Sequence, residues 1–498
     1  MGANHAEAPI LEALARYGDN DELGFTPPGH KRARGADPRA RAVLGDAVFF
    51  GDVLANGGLD DHLARGDVLA RAEELMADAV HADHTFFSTC GSSLSVKAAM
   101  LAVTRPHHRL LVGRDAHKSV VAGLILSGVE PVWVEPRWDA DRHLAHPPSA
   151  AAFAGAFAEH PDADGALVTS PTPYGAAADL AGIADVCHRH GRPLIVDEAW
   201  GAHLPFHDDL PSWAMDAGAD ICVTSIHKMG SGLEQGSVFH LRGDLVDPAE
   251  LASRADLLGT TSPNVLLYAG IDAWRRQMVE RGHQLIGGAL ELAAHTRTAI
   301  EAIDGFHVND AKDFCGPGLA HDFDPLPVVM DMGGVGGLGT SGYRAADWLR
   351  AHHHIDVHLF DHRRLSTQLT HADDERTTAR LLTALRDLAD HAAVVPALRD
   401  APQVAVPSPA ELRTDQALLP RDAYFARHTK VPPAEAAGRI AAEMITPYPP
   451  GIPVILPGER LTEPLLTYLT TGVEAGMFLP DAADQRLETV RIVEDDRA

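Results

Sequence analysis

The sequence predicts an α/β protein organised around a mostly parallel, doubly wound sheet, and three observations lead there. Short apolar runs of strand length recur between residues 82 and 227. Stretches with helical spacing of apolar residues separate them, and strands alternating with helices imply right-handed βαβ crossovers. Reactive polar side chains gather where the apolar runs end, which is where open α/β sheets bind their ligands.

Taken in order, the opening stretch to about Asp60 is rich in Gly and Pro around GFTPPGHKRARGADP and reads as an extended arm. From Asp61 the pattern changes, and ARAEELMADAVHA has amphipathic helical spacing. Strands are expected at ADHTFF (82–87), RLLVG (109–113), EPVWVEP (130–136), GALVTS (165–170), RPLIVDEA (192–199) and DICVTSIH (220–227). SVKAAMLAV, HKSVVAGLILSG and LAGIADVCHRHG are the intervening helices. After YAGIDAWRRQMVERG the chain is expected to stay helical with loop breaks. PLPVVMDM, GYRAADWLRAHHH and IDVHLF then form a strand–helix–strand set, followed by the helix ERTTARLLTALRDLADHAA. A proline-bearing linker over 401–420 leads to a last unit holding AEAAGRIAAEMI, TPYPPGIPVILPGE and a short helix. The domains expected are an arm (1–60), a large domain (61–310), a small α/β domain (311–400) and a C-terminal α+β domain (401–498).

Composition narrows the function. The 498 residues carry a formal charge of −27, which repels nucleic acid and anionic membrane surfaces and suits a cationic small molecule. No apolar run reaches the roughly 20 residues of a membrane span, and no secretory signal is visible, so a cytoplasmic protein is expected. Cys90, Cys187, Cys222 and Cys315 are scattered without metal-ligand spacing and read as reduced thiols. Lysine is scarce: only Lys31, Lys97, Lys118, Lys228, Lys312 and Lys430 occur.

One of these six sits in SIHKMGSGLEQGS, where Ser225, His227 and Lys228 end a buried strand. Burial lowers a lysine's pKa and leaves a neutral amine that attacks carbonyls. Alone, such a lysine reads as a surface residue. Asp197 changes the balance: it ends RPLIVDEAW one βα unit earlier. A strand-end carboxylate and a strand-end amine are the pair that pyridoxal phosphate (PLP) requires, one for its pyridine nitrogen and one for its aldehyde. A phosphate cradle is expected at Gly91, Ser92 and Ser93, which open a helix after STC. His117, following RLLVG, supplies a flat side chain for ring stacking.

These segments resemble the Orn/Lys/Arg decarboxylase family of fold-type-I PLP enzymes, in its shorter biosynthetic branch. GFTPPGHKRARGADP, LDDH, ADHTFFSTCGSS, GRDAHKSVVAGLILSG, VTSPTPYGAAADL, PLIVDEAWGAH, DICVTSIHKMGSGLEQGS, LGTTSPN and TPYPPGIPVILPGE follow the family's order over nearly the whole chain. The resemblance implies a fold-type-I large domain, decarboxylation of a basic L-amino acid, and PLP bonded to Lys228. It implies that Asp197 faces the pyridine nitrogen, His117 stacks on the ring, and Ser92, Ser93, Ser225 and His227 hold the phosphate. Ala199 and Trp200 lie by the ring, Thr172 lies near its hydroxyl, and His227 or Lys228 returns a proton. Thr261 and Ser262 reach a partner's cofactor, so a homodimer or dimer of dimers with shared sites is expected. Arginine stands ahead of lysine and ornithine as substrate, and Glu443 and Trp200 are the substrate-facing candidates.

Departures exist. Cys90-Gly91-Ser92-Ser93 replaces the family's Asn/Gln-Gly-Thr-Ser, and Trp200 stands where the biosynthetic branch often has His. Met229-Gly230-Ser231-Gly232 is richer in glycine than its counterparts. The larger members' receiver-like N-terminal domain has no counterpart in the sequence. Two other activities fit the fold: an aminotransferase or aldolase, with Arg344 or Arg350 available by spacing, and a silent regulatory paralogue. GGVGGLG (333–339) imitates a dinucleotide fingerprint but reads as a loop. His352–His354 are consecutive and do not converge on one metal, so no metal is expected.

Overall fold

In the computed structural model, which describes residues 3–19, 23–54, 67–334, 336–399 and 402–494, the apolar runs become strands within a residue or two of their expected places. The LDDH motif lies outside the described residues. The chain forms two compact units, residues 1–103 with 187–284 and residues 104–186 with 285–498.

In the first unit the strands run in the order His84–Ser88, Ser237–Leu241, Ile221–Ser225, Leu194–Asp197. The last two are parallel, in the register Asp197↔Val223. Ser237–Leu241 is antiparallel to both its neighbours. It is a strand the βαβ pattern does not announce, because only eleven residues with a single helical turn, Ile226–Met229, separate it from Ile221–Ser225, too few for a crossover helix. Its inner residues Val238 and Phe239 are buried, as are all five of Ile221–Ser225. Burying such a side chain contributes roughly 1.5–3 kcal/mol, which makes these strands the rigid floor of the unit. The opening segment is not extended throughout. Pro9–Asp19 is a helix that buries Ile10 and Ala13. It is pinned by buried Arg275, whose guanidinium donates to the His5 and Glu7 carbonyls, and by Asp272, which accepts the Ile10 N–H at 2.9 Å.

In the second unit Arg109–Gly113 lies between Glu130–Val134 and Ala166–Thr169, parallel to each. The mostly parallel α/β architecture expected from the sequence is thus present. A second, antiparallel sheet runs His307–Val308, Pro327–Asp331, Arg364–Gln368, Leu359–Phe360, accompanied by the helices Gly342–His353 and Glu375–Ala392. IDVHLF yields only the two-residue strand Leu359–Phe360. The C-terminal region has its own core, with Ile445, Ile455, Leu466 and Leu469 among its buried side chains. A single helix, Val265–Glu301, runs for 37 residues where loop breaks were expected; its Gly270, Gly282, Gly287 and Gly288 weaken the pattern without ending it.

Candidate active site

The first unit concentrates chemistry at the ends of two strands. Leu194–Asp197 ends at Asp197, and Ile221–Ser225 passes directly into a one-turn helix, Ile226–Met229, that carries His227 and Lys228. The turn forms because Gly230, at its C-terminal end, allows the chain to pass tightly. A side-chain carbon at 230 would meet the Ile226 carbonyl oxygen at 2.6 Å and the Trp274 indole nitrogen at 2.7 Å. Gly230 and Gly232 after Lys228 are therefore required by close packing against Ile226, with Trp274 also against Gly230.

Lys228 Nζ lies 4.0 Å from the centre of the Trp200 ring. Burial lowers its pKa to about 8, against the opposing charges of Asp197 and Glu234. Asp197, 3% exposed, moves the other way: burial raises its carboxyl, and Lys228 and the Ala199 N–H offset this only in part. That N–H donates to Asp197 Oδ1 at 3.3 Å. An amine and a carboxylate whose pKa values approach each other are a pair poised to exchange a proton.

Ser225 Oγ donates to Ser92 Oγ at 2.8 Å, tying the second strand end to the helix Gly91–Val103. Gly91 has φ +73, and its N–H donates to the Gln235 carbonyl at 2.9 Å. The Gly91 N–H is thus engaged, which leaves Ser92 and Ser93, in the first helical turn where N–H groups lack partners within the helix, as the groups there that could hold an anion. His227 donates from Nδ1 to the Gly236 carbonyl at 3.1 Å, leaving Nε2 toward Glu234 at 3.9 Å. Ala199 is buried, while Thr261 and Ser262 are exposed.

The second unit holds the remaining residues. His117 caps the helix Lys118–Ser127, its Nδ1 accepting from the Ser119 N–H. Thr172 is buried and its hydroxyl accepts the Ala176 N–H at 3.2 Å. Glu443 does not lie on a surface helix. It is 5% exposed, and its two oxygens accept from Ala483 N–H at 2.7 Å and Arg491 N–H at 2.6 Å. Both oxygens already hold its own backbone, so nothing here supports a substrate-facing role. Arg344 donates to the Ala397 carbonyl, and Arg350 pairs with Asp347 and Asp356 on the surface. Gly333–Gly339 is a loop, with Val335 outside the described residues.

Glu198 escaped the sequence reading. It is fully buried beside Asp197, accepts from Ala214 N–H and Cys222 Sγ, and burial pushes its carboxyl well above the usual range. Its signal was the paired acid in IVDEA. Gln235 and Trp274 left none, since one acts through its carbonyl and the other through its bulk.

Residues 8–314 match the model of "Orn/Lys/Arg decarboxylase, major domain", and residues 408–483 match "Orn/Lys/Arg decarboxylase, C-terminal domain". The chain is 36% identical over 492 residues to an arginine decarboxylase of Halalkalibacterium halodurans, covering 99% of each. It is 34% identical over 492 residues to an arginine decarboxylase of Bacillus subtilis, again covering 99% of each. The Francisella novicida lysine decarboxylase LdcF has the same fold, with a TM-score of 0.81 at 22% identity over 98% of this chain and 81% of that one.

Proposed function

The chain belongs to the Orn/Lys/Arg decarboxylase family, and from that premise we propose that it is a PLP-dependent enzyme removing the α-carboxyl group of a basic L-amino acid, arginine first. The observation that carries the reading is the placement of Asp197 at the end of one strand and Lys228 in the turn that follows its parallel neighbour, where burial lowers the amine and raises the carboxyl. Arginine precedes lysine because the two relatives matched over their full length bear that name.

The residues fit the cofactor by the chemistry of their donors. Lys228 offers a neutral amine for an aldehyde, Asp197 a buried carboxylate for a pyridinium, and Ser92, Ser93 and Ser225 hydroxyls for a phosphate. Bound there, PLP supplies an electron sink for the pair released as carbon dioxide departs. Asp197 keeps a proton on the pyridine nitrogen, which its depleted set of other donors favours. Lys228 Nζ, or His227 Nε2 when the ring carries a second proton, would deliver a proton to the substrate's α-carbon. Trp200 shields Lys228 from water and favours its charged form at 4.0 Å. By the family resemblance, His117 would stack on the ring, Thr172 would lie by its hydroxyl and Ala199 would lie beneath it.

Thr261 and Ser262 would serve the cofactor of a second copy, so the working form is a homodimer or a dimer of dimers. What supports this is their exposure, together with Phe25 at 90% and Leu257 at 72% in the same unit. The domain borders proposed remain 60, 310 and 400.

The test is direct. PLP-loaded protein is incubated separately with arginine, lysine and ornithine while carbon dioxide and amine are followed, with Lys228→Ala as control. Release from arginine fastest, and abolished in the variant, is the expected result. A protein that holds PLP yet releases nothing from any of the three overturns the reading.

A further inference from the structure

His117 is held from both edges within the second unit. On one edge its Nδ1 accepts from the Ser119 N–H at 3.2 Å and lies 2.9 Å from Ser119 Oγ. The neutral ring therefore carries its proton on Nε2. On the other edge stands Gly451, in the proline-rich turn of the C-terminal region. A side-chain carbon at 451 would lie 3.0 Å from both Cδ2 and Nε2 of His117, and 3.1 Å from Cε2 of Tyr448. Those separations are a few tenths of an ångström inside ordinary contact, so a larger residue would have to push the ring edge or the turn aside. Its φ of +91 is a second, independent demand for glycine.

The turn is also fastened to the chain next to His117. Lys118 N–H donates to the Gly451 carbonyl at 3.1 Å. The Lys118 ammonium pairs with Asp481 at 2.8 Å and lies 5.6 Å from the centre of the Tyr448 ring. Tyr448 N–H in turn donates to the Phe478 carbonyl at 2.9 Å. Two of these contacts, from the Lys118 N–H to the Gly451 carbonyl and from the Lys118 ammonium to the Tyr448 ring, tie the turn to the segment that carries the imidazole.

We propose that Gly451 is a positioning residue that sets the plane of the His117 ring, so that the C-terminal turn controls how the cofactor is stacked. This rests on the reading of His117 as the ring-stacking residue. The turn is then more than a chain reversal: it is the back wall of the imidazole, and it limits the ring's tilt from the side opposite its helix cap.

A second glycine of the C-terminal region separates this role from backbone strain. Gly438 has φ +80, but nothing lies within 4 Å of where its side chain would project. Gly438→Ala strains the backbone and touches nothing, whereas Gly451→Ala does both. The readouts are the dissociation constant of PLP and the visible circular dichroism of bound PLP, alongside the thermal midpoint. Gly451→Ala is expected to weaken PLP binding about fivefold to tenfold, the scale of one lost aromatic contact, and to change the visible dichroism. Gly438→Ala lowers the thermal midpoint and leaves both cofactor readouts as in the wild type. On a His117→Ala background the Gly451→Ala effect on PLP binding disappears, as a shared path requires.

Should Gly451→Ala fail to fold, Tyr448→Ala takes its place: this ring is 42% exposed, and its loss frees the turn without straining a backbone. The same direction of change, smaller, is expected. Wild-type dichroism and affinity in the folded variants, or an undiminished effect on the His117→Ala background, overturn the proposal. If the wild type shows no PLP absorption that depends on Lys228, the reading of the site fails, and the inference fails with it. If that absorption is present and Gly451→Ala is silent, only the inference fails.

Discussion

Two pairs of an aspartate with a basic side chain, one in each unit and each with one buried member, show how a carboxylate can serve opposite ends. In the first unit Asp197 faces Lys228, and burial dominates both: the carboxyl rises and the amine falls to about 8. In the second unit Asp361 pairs with buried Arg364 at 3.0 Å. Burial works to raise Asp361 as well, but there it loses. The Arg364 charge, His362 and the N–H groups of Arg363 and Arg364 bring the carboxyl below its ordinary value. Both N–H groups donate at 2.9 Å, and the Tyr174 hydroxyl adds a further bond at 3.3 Å. The difference is the number of donors. A carboxylate surrounded by them becomes a fixed charge that holds structure together, while one left with the Ala199 N–H stays ready to titrate. A carboxylate with several donors stabilises as a fixed charge, and one with a single donor is left free to take up a proton.

That contrast is open to test, beginning with the largest effect. Lys228→Ala should lower decarboxylation by roughly four orders of magnitude or more, because no other side chain replaces its amine. The assay is carbon dioxide release, and a loss under tenfold would remove Lys228 from the chemistry.

Asp197→Asn should lower the rate about a thousandfold, the scale of losing an aligned charge in a closed site. Its thermal midpoint without cofactor should stay level or rise, since the variant no longer buries a poorly solvated carboxylate. Asp361→Asn should do the reverse, costing about 2 kcal/mol of stability while leaving the amine of Lys228 untouched. If the two variants behave alike, the distinction between the pairs is wrong.

The pH dependence follows with its sign. Asp361 holds its proton less tightly folded than unfolded, so its stabilisation is present above the ordinary carboxylate value of about 3.9 and is lost as the pH falls through the lower folded value. Acid unfolding should therefore be shallower in Asp361→Asn than in the wild type. For Lys228 the neutral amine is the reactive form, so capture of PLP by cofactor-free protein should accelerate as the pH rises and level off past about 8. The smallest effect belongs to Trp200. Replacing it with Leu removes a ring that favours the ammonium, and the midpoint of that pH curve should drop by about half a unit.

Much of the site was legible because its chemistry depends on side-chain identity. Lys228 and Asp197 each end an apolar run, and a strand-end amine and carboxylate one βα unit apart have few other readings. Ser92 and Ser225 were singled out separately, yet their hydrogen bond to each other was not, since it joins residues 133 apart. The strand Ser237–Leu241 and the unbroken helix Val265–Glu301 went unforeseen for a related reason: pairing partners and tertiary packing overrode the local pattern.

The sequence alone determined the α/β alternation, the candidate lysine and aspartate, and the family, because periodicity and residue type are local properties. Only the tertiary structure decided which charges titrate. It showed Glu443 accepting two backbone amides, and revealed Glu198 as a buried acid. It also placed Gly451 against His117, more than three hundred residues away. A pKa depends on how many donors and how little water surround a group, and a steric wall depends on which atoms meet. Both are set by packing between distant segments, which no local pattern records.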